Sequence, residues 1–138
     1  MAARIFLAVF GLFSLPYGIY CFIDPGFLAD FAGVAATSTT GTIELKAMYG
    51  GLQTGFGALA LLGAMRPAYA PTILLATAFQ CAGLGSFRLM GALAAGDFSV
   101  YTSQGVAFEL GSTAIAFFLW RSIAGAPTAG GPASAIAH

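Results

Sequence analysis

Four stretches of the chain are almost continuously apolar, separated by short segments rich in Gly, Pro, Asp, Ser or Thr. Each stretch is about 20 residues long, enough for a helix rising 1.5 Å per residue to cross a hydrocarbon layer of ~30 Å. The expected spans are residues 4–23, 43–65, 69–93 and 100–120. The pattern predicts an all-α fold, a four-helix transmembrane bundle forming a single domain over residues 1–123.

The segments between the runs carry their own signals. Asp24-Pro25-Gly26 is a turn that ends the first run, which contains Pro16. Residues 27–34 (F-L-A-D-F-A-G-V) are too short to span and mildly amphipathic, so they are expected to lie at the membrane interface. Residues 35–42 read as a loop, with Thr42 placed to cap the second helix. Arg66-Pro67 ends the second run, residues 94–99 form the exit turn of the third, and Arg121 closes the fourth. The Gly/Ala/Pro/Ser-rich residues 124–138 are expected to be a disordered tail. Arg4 followed by an apolar core also suits a secretory signal. The length of the run, Pro16 and the lack of a small-x-small cleavage site favour an uncleaved helix.

Composition strengthens this reading. Only 7% of residues are charged, against roughly a quarter in soluble domains, so the surface cannot be covered for water. The few charges are nevertheless ordered. Arg4, Arg66 and Arg121 fall at one side of a four-span layout, and Asp24, Asp30 and Asp97 at the other. By the positive-inside rule both termini should face the cytoplasm, and a bacterial cytoplasmic (inner) membrane is the expected location. With a formal net charge of zero and no basic patch, nucleic acid is not expected as a partner. Cys21 and Cys81 match no metal or CxxC spacing, and His138 is the sole histidine, so no metal site is expected. A Cys21–Cys81 disulfide is not expected either, because the two sit at different depths.

The informative residues are polar ones inside the runs, since a charge at mid-membrane costs roughly 2.5–3.5 kcal/mol on insertion scales. Glu109 lies ~14 Å into the last run and Arg88 ~12 Å from the same surface. Their matched depths predict an Arg88–Glu109 ion pair between the third and fourth helices. At 100° per residue, Thr102, Gly105, Glu109, Ser112, Thr113 and Ala116 share one small, polar face, while Ala107, Ile115 and Phe118 point toward lipid. Cys81, Gly85, Arg88 and Ala92 form the matching stripe, flanked by Gln80. Such a pair either fixes helix register or forms a ligand or proton site.

In the second run, Glu44, Gly51 and Gly55 align on one face, and Lys46, Tyr49, Gln53 and Gly57 on another. Gly51-x-x-x-Gly55 is a small-residue packing motif. Both faces read as protein contacts, which makes this helix the expected centre of the bundle or a contact to a second subunit. Glu44, Lys46, Tyr49, Gln53, Gln80, Arg88 and Glu109 are the candidate ligand residues, lining one outward-opening polar cleft that Tyr17 and Tyr20 close. A small amphipathic ligand, a quinone or a lipid head group, would suit it; no cofactor is otherwise predicted. Gly51, Gly55, Gly57, Gly85 and Gly105 are the expected packing glycines. No catalytic residues are assigned, since no Ser–His–Asp set is available and the GGxxxGxG cluster lies in a span rather than in a phosphate-binding loop.

Glu44-x-x-x-x-Tyr49-Gly50-Gly51-x-x-x-Gly55-x-Gly57, then Arg88-x-x-Gly91, Gly96 and Glu109, resembles an uncharacterised bacterial family of small four-helix membrane proteins, a domain of unknown function. More distantly the layout is similar to DoxX-like membrane proteins, some linked to quinone-dependent oxidation. The resemblance covers roughly residues 4–121 and implies a fold and a membrane address but no reaction. The expected function is therefore a non-catalytic accessory subunit or binder of a small amphipathic ligand. The alternatives are an oligomeric transporter or channel component and a quinone-linked redox subunit. Membrane lipids, a homo-oligomer or a larger membrane complex are the expected partners.

Overall fold

The computed structural model describes residues 1–124 and contains only helices and their connections. The elements are α1 (Ala2–Ile23), α2 (Phe27–Ala32), α3 (Thr39–Leu45), a π-helical turn (Lys46–Gly51), α4 (Leu52–Met65), a 3₁₀ turn (Pro67–Tyr69), α5 (Ala70–Ala95) and α6 (Val100–Ala124). Three helices of the described residues are long and apolar enough to cross a membrane: Ala2–Ile23, Pro67–Ala95 and Val100–Ile123. The tail expected from residue 124 onward lies, apart from Ala124 itself at the end of α6, outside the described residues.

Helix boundaries follow local chemistry. The helix leading into the second run begins at Thr39, earlier than the sequence suggests, because Ser38 rather than Thr42 is its cap. Ser38 Oγ accepts the Gly41 N–H at 3.0 Å, satisfying one of the orphan donors of the first turn. Thr42 instead turns its hydroxyl back to the Ser38 carbonyl at 3.2 Å. α5 stops at Gly96, whose φ of 66° places it in the left-handed region that glycine adopts without strain. The Gly96 N–H bonds the Ala92 carbonyl, and so does the Asp97 N–H at 3.2 Å. Pro16 leaves α1 unbroken.

α3, the π turn and α4 are joined through Leu45, Lys46, Gly51 and Leu52, all in right-handed helical conformation. The backbone is thus helical from Thr39 to Met65, with one wide turn where the Leu52 N–H reaches the Ala47 carbonyl. That extra residue in one turn breaks the 100° register assumed from sequence, so the Glu44 face does not run straight into the Gly51–Gly55 face.

The helices associate as two pairs. α1 packs along α4 and the π turn, and α5 packs along α6. The α1–α4 seam is made of small residues at near backbone contact. A Cβ on Gly57 would lie 2.5 Å from the Leu15 nitrogen, one on Gly18 2.5 Å from the Thr54 nitrogen, and one on Gly50 2.9 Å from Phe22 Cβ. Only glycine permits this approach, which gives dispersion and weak polar contacts where lipid removes the hydrophobic drive. The expectation that the second run is the centre of the bundle is corrected here. It lies at one side, buried against α1, while Gly51 and Gly55 are exposed with no atom of another helix near them.

Burial differs along the bundle axis. At the end carrying Arg4, Arg66 and Arg121, Leu7, Ala60, Leu74 and Ala116 are fully enclosed, with Ala3, Phe10, Ala70, Ile73 and Ala78 beside them. Leu119, Trp120 and Ile123 close this aliphatic core from α6. Large apolar side chains such as Phe79, Phe87 and Phe118 point outward, a surface that lipid solvates and water does not.

Candidate functional site

The opposite half of the bundle contains its internal ion pair. Arg88 on α5 and Glu109 on α6 form a forked pair, Nε donating to Oε2 at 2.9 Å and Nη2 to Oε1 at 2.7 Å. The Glu109 side chain is 9% exposed and that of Arg88 29%. Two parallel charge-assisted hydrogen bonds satisfy both carboxylate oxygens and two guanidinium nitrogens, the geometry that makes burial of both charges tolerable. Glycines make room for it. A Cβ at Gly105 would lie 2.9 Å from Arg88 Nε, and one at Gly85 would lie 3.0 Å from Glu109 Cβ. Thr113 donates to the Glu109 carbonyl at 2.8 Å, keeping its own hydroxyl satisfied within α6.

Aromatic rings surround the exposed side of the pair. Arg88 Cζ stands 5.7 Å from the centre of the Tyr101 ring, within cation–π range. Tyr101 meets Phe31 of α2 edge-on at 5.5 Å, Phe31 adjoins Phe27 at 6.3 Å, and Phe27 packs on Tyr20 at 4.7 Å and Tyr17 at 6.3 Å. The short helix α2 therefore lies over this end, carrying an aromatic row from α1 to α6. Tyr17 stands edge-on to Phe27 in this row, within electrostatic reach of Tyr101. The Tyr49 hydroxyl, brought in by the π turn, lies within electrostatic reach of Arg88 and Glu109.

The seven sequence-derived candidates do not form one cleft. Arg88 and Glu109 meet directly, and Tyr49 stands within electrostatic reach of them without a hydrogen bond to either. Gln53 is half-buried on α4, Glu44 is exposed, and Lys46 turns to α1, its Nζ 5.2 Å from the centre of the Phe22 ring. Gln80 lies two turns along α5 from Arg88, with a buried Oε1 that finds no partner among the described residues. Where an open groove was expected, the rings of Tyr101, Phe27 and Phe31 stand instead. Two cavities of the surface lie elsewhere, about 260 Å³ beside α2 and α3 and about 570 Å³ at the start of α1. Among the packing candidates, Gly57, Gly85 and Gly105 sit in helix contacts, while Gly51 and Gly55 do not; Gly50, Gly11 and Gly18 hold the α1–α4 seam in their place.

Tyr101 and the α2 aromatics are absent from the sequence reading. A signal for Tyr101 is present, since Tyr101, Gly105 and Glu109 follow one another at steps of four along one helix face. Phe27 and Phe31 share the same spacing, which marks a face without saying what it covers. Cys21 and Cys81 are both free, and no group of three or more His, Cys, Asp or Glu is clustered among the described residues.

A helical protein with three apolar helices long enough to cross a membrane and an internal ion pair is the class these features define. The model of the family described as "Domain of unknown function (DUF4345)" matches residues 2–120, and the chain belongs to that family. No curated protein and no solved structure matches it.

Proposed function

We propose that this protein crosses a bacterial cytoplasmic membrane four times, with both termini inside, and binds the polar head of a small amphipathic ligand at Arg88, Glu109 and Tyr49. The continuous helix from Thr39 to Met65 supports the fourth crossing, since it is ~40 Å long. The gathering of Arg4, Arg66 and Arg121 at one end of the helices supports the orientation.

The observation that carries the binding reading is the half-open guanidinium of Arg88. Two of its nitrogens are fixed on Glu109, and the guanidinium lies beside the Tyr101 ring with no second acceptor among the described residues. A pair serving only to hold α5 to α6 has no need of the Tyr101 ring beside Arg88 and of Tyr49 within its electrostatic reach. A ligand carbonyl or phosphoryl oxygen would accept from the remaining guanidinium nitrogen, and its apolar tail would leave between helices into lipid. A lipid or a quinone has this chemistry, and the protein supplies binding and not a reaction.

Native mass spectrometry of the protein from mild detergent tests the reading. A co-purifying lipid or quinone should be present in the wild type and lost on Arg88→Met/Glu109→Leu, in which the packing volume is kept. An unchanged number of bound ligands in that variant, or a wild type that carries none, counts against it. The oligomeric transporter reading is favoured by a different feature, the open Gly51–Gly55 face, and predicts a multimer mass in the same spectrum.

A further inference from the structure

We infer that the groove between the start of α1 and the end of α4 is a site for one anionic phospholipid, with Arg4 holding its phosphate. This site is at the opposite end of the bundle from Arg88 and does not rest on the reading above.

Arg4 is not a freely moving surface charge. Its Nε donates to the Ala64 carbonyl at 2.8 Å, an acceptor left over at the last turn of α4. That bond fixes the guanidinium plane and leaves both terminal nitrogens without a protein acceptor among the described residues. A planar fork with free N–H groups is matched by two phosphate oxygens. Beside it lies a ~570 Å³ cavity lined by Met1, Arg4, Ile5, Ala8 and Ala64, whose side chains are apolar apart from Arg4.

The charge distribution leaves Arg4 available. Arg66 and Arg121 stand at the same end of the helices, whereas Asp24, Asp30, Glu44 and Asp97 stand at the other, and Glu109 is occupied by Arg88. Among the described residues, no side-chain carboxylate at that end competes with a phosphate. The groove fits a lipid better than a free anion because it continues into an apolar stripe. Ile5, Val9 and Leu12, at 55%, 49% and 64% exposure, follow one another at helical spacing down the outside of α1. A head group on Arg4 would lay its acyl chain along that stripe, at the depth where the hydrocarbon begins.

The test is native mass spectrometry of the full chain in mild detergent, titrated with phosphatidylglycerol or phosphatidylcholine. One phosphatidylglycerol should be retained in preference to phosphatidylcholine. R4Q should lower that retention about tenfold, the loss of one charge-assisted contact. R121Q, at the same end but outside the groove, should leave it unchanged. Arg4 also caps α4, so circular dichroism must show R4Q still helical. If it is not, Ala8→Trp decides, since it fills the groove, keeps every charge and should lower retention as far as R4Q. Equal losses in R4Q and R121Q would show diffuse attraction and overturn the site. Full retention in A8W, or competition by glycerol phosphate as strong as that by phosphatidylglycerol, would overturn the lipid assignment.

Discussion

The two ends of this bundle solve the packing problem differently. At the arginine end the interior is dry and aliphatic, with Leu7, Leu74, Ala60 and Ala116 interlocked and Thr77 satisfied by the Ile73 carbonyl at 2.8 Å within its own helix. At the aspartate end the interior contains Arg88, Glu109, Tyr17, Tyr49 and Tyr101, roofed by α2. In lipid, aliphatic contact between helices gains little from water exclusion, because the tails outside are equally apolar. The dry end therefore holds by shape. The polar end holds by electrostatics in a low dielectric, where a satisfied pair is tolerable and a broken one costly. Chemistry that must be kept from lipid can only be housed at the second kind of end.

Breaking the polar end should give the largest effect. Arg88→Ala or Glu109→Ala leaves a lone charge in the bundle and should cost about 3–5 kcal/mol, seen as a fall in melting temperature in detergent. Arg88→Met/Glu109→Leu should recover most of that loss. If the double variant melts no higher than the single ones, the two residues do not act as a pair. The dry end should respond next. Leu74→Ala removes a fully enclosed side chain and should cost about 2 kcal/mol, the lower part of the range for such truncations, because lipid offers no transfer penalty. A larger loss there than at Arg88 would reverse the comparison.

Substitutions along the α1–α4 seam sharpen it further. Gly57→Leu must displace the Leu15 backbone and should cost ~1–3 kcal/mol. Gly55→Leu projects into open space and should lie within about 0.5 kcal/mol of wild type in the monomer. A Gly55→Leu protein of altered mass by light scattering would show a second copy seated on that face. A modest effect is expected at Tyr101. Tyr101→Leu loses the ring over Arg88, worth ~0.5–1 kcal/mol, and Tyr101→Phe keeps it, so only the first should lower the melting temperature.

How much of this is legible in the sequence depends on the kind of signal. The Arg88–Glu109 contact is readable because depth in a helix is a linear function of residue number, so two rare charges at equal depth on facing helices have few other partners. Gly85 and Gly105 are readable for the same reason, one turn from the pair on the same stripes. The faces of the second run are not. The turn at Lys46–Gly51 is wider than an α-turn, and nothing local in K-A-M-Y-G-G fixes which hydrogen-bond span the backbone chooses; in the fold, Gly50 stands against Phe22 and Thr54 against Gly18 on either side of its end. As a result Gly50 and Gly57 meet α1, and Gly51 and Gly55 turn away from it. The cleft failed for a related reason: which rings fill a gap depends on α2, a helix of six residues whose position is set by its neighbours.

The sequence by itself determined that this chain is helical, suited to lipid, polarised in charge and supplied with two rare charges, Arg88 and Glu109, at matched depth, because hydropathy, helical period and depth are properties of a single segment. Only the tertiary structure decided that the helices pair as α1 with α4 and α5 with α6, that the wide turn rotates the glycine face outward, and that Tyr101 and α2 close over Arg88. Those outcomes depend on which surfaces fit closest across helices, and fit is a property of two segments together.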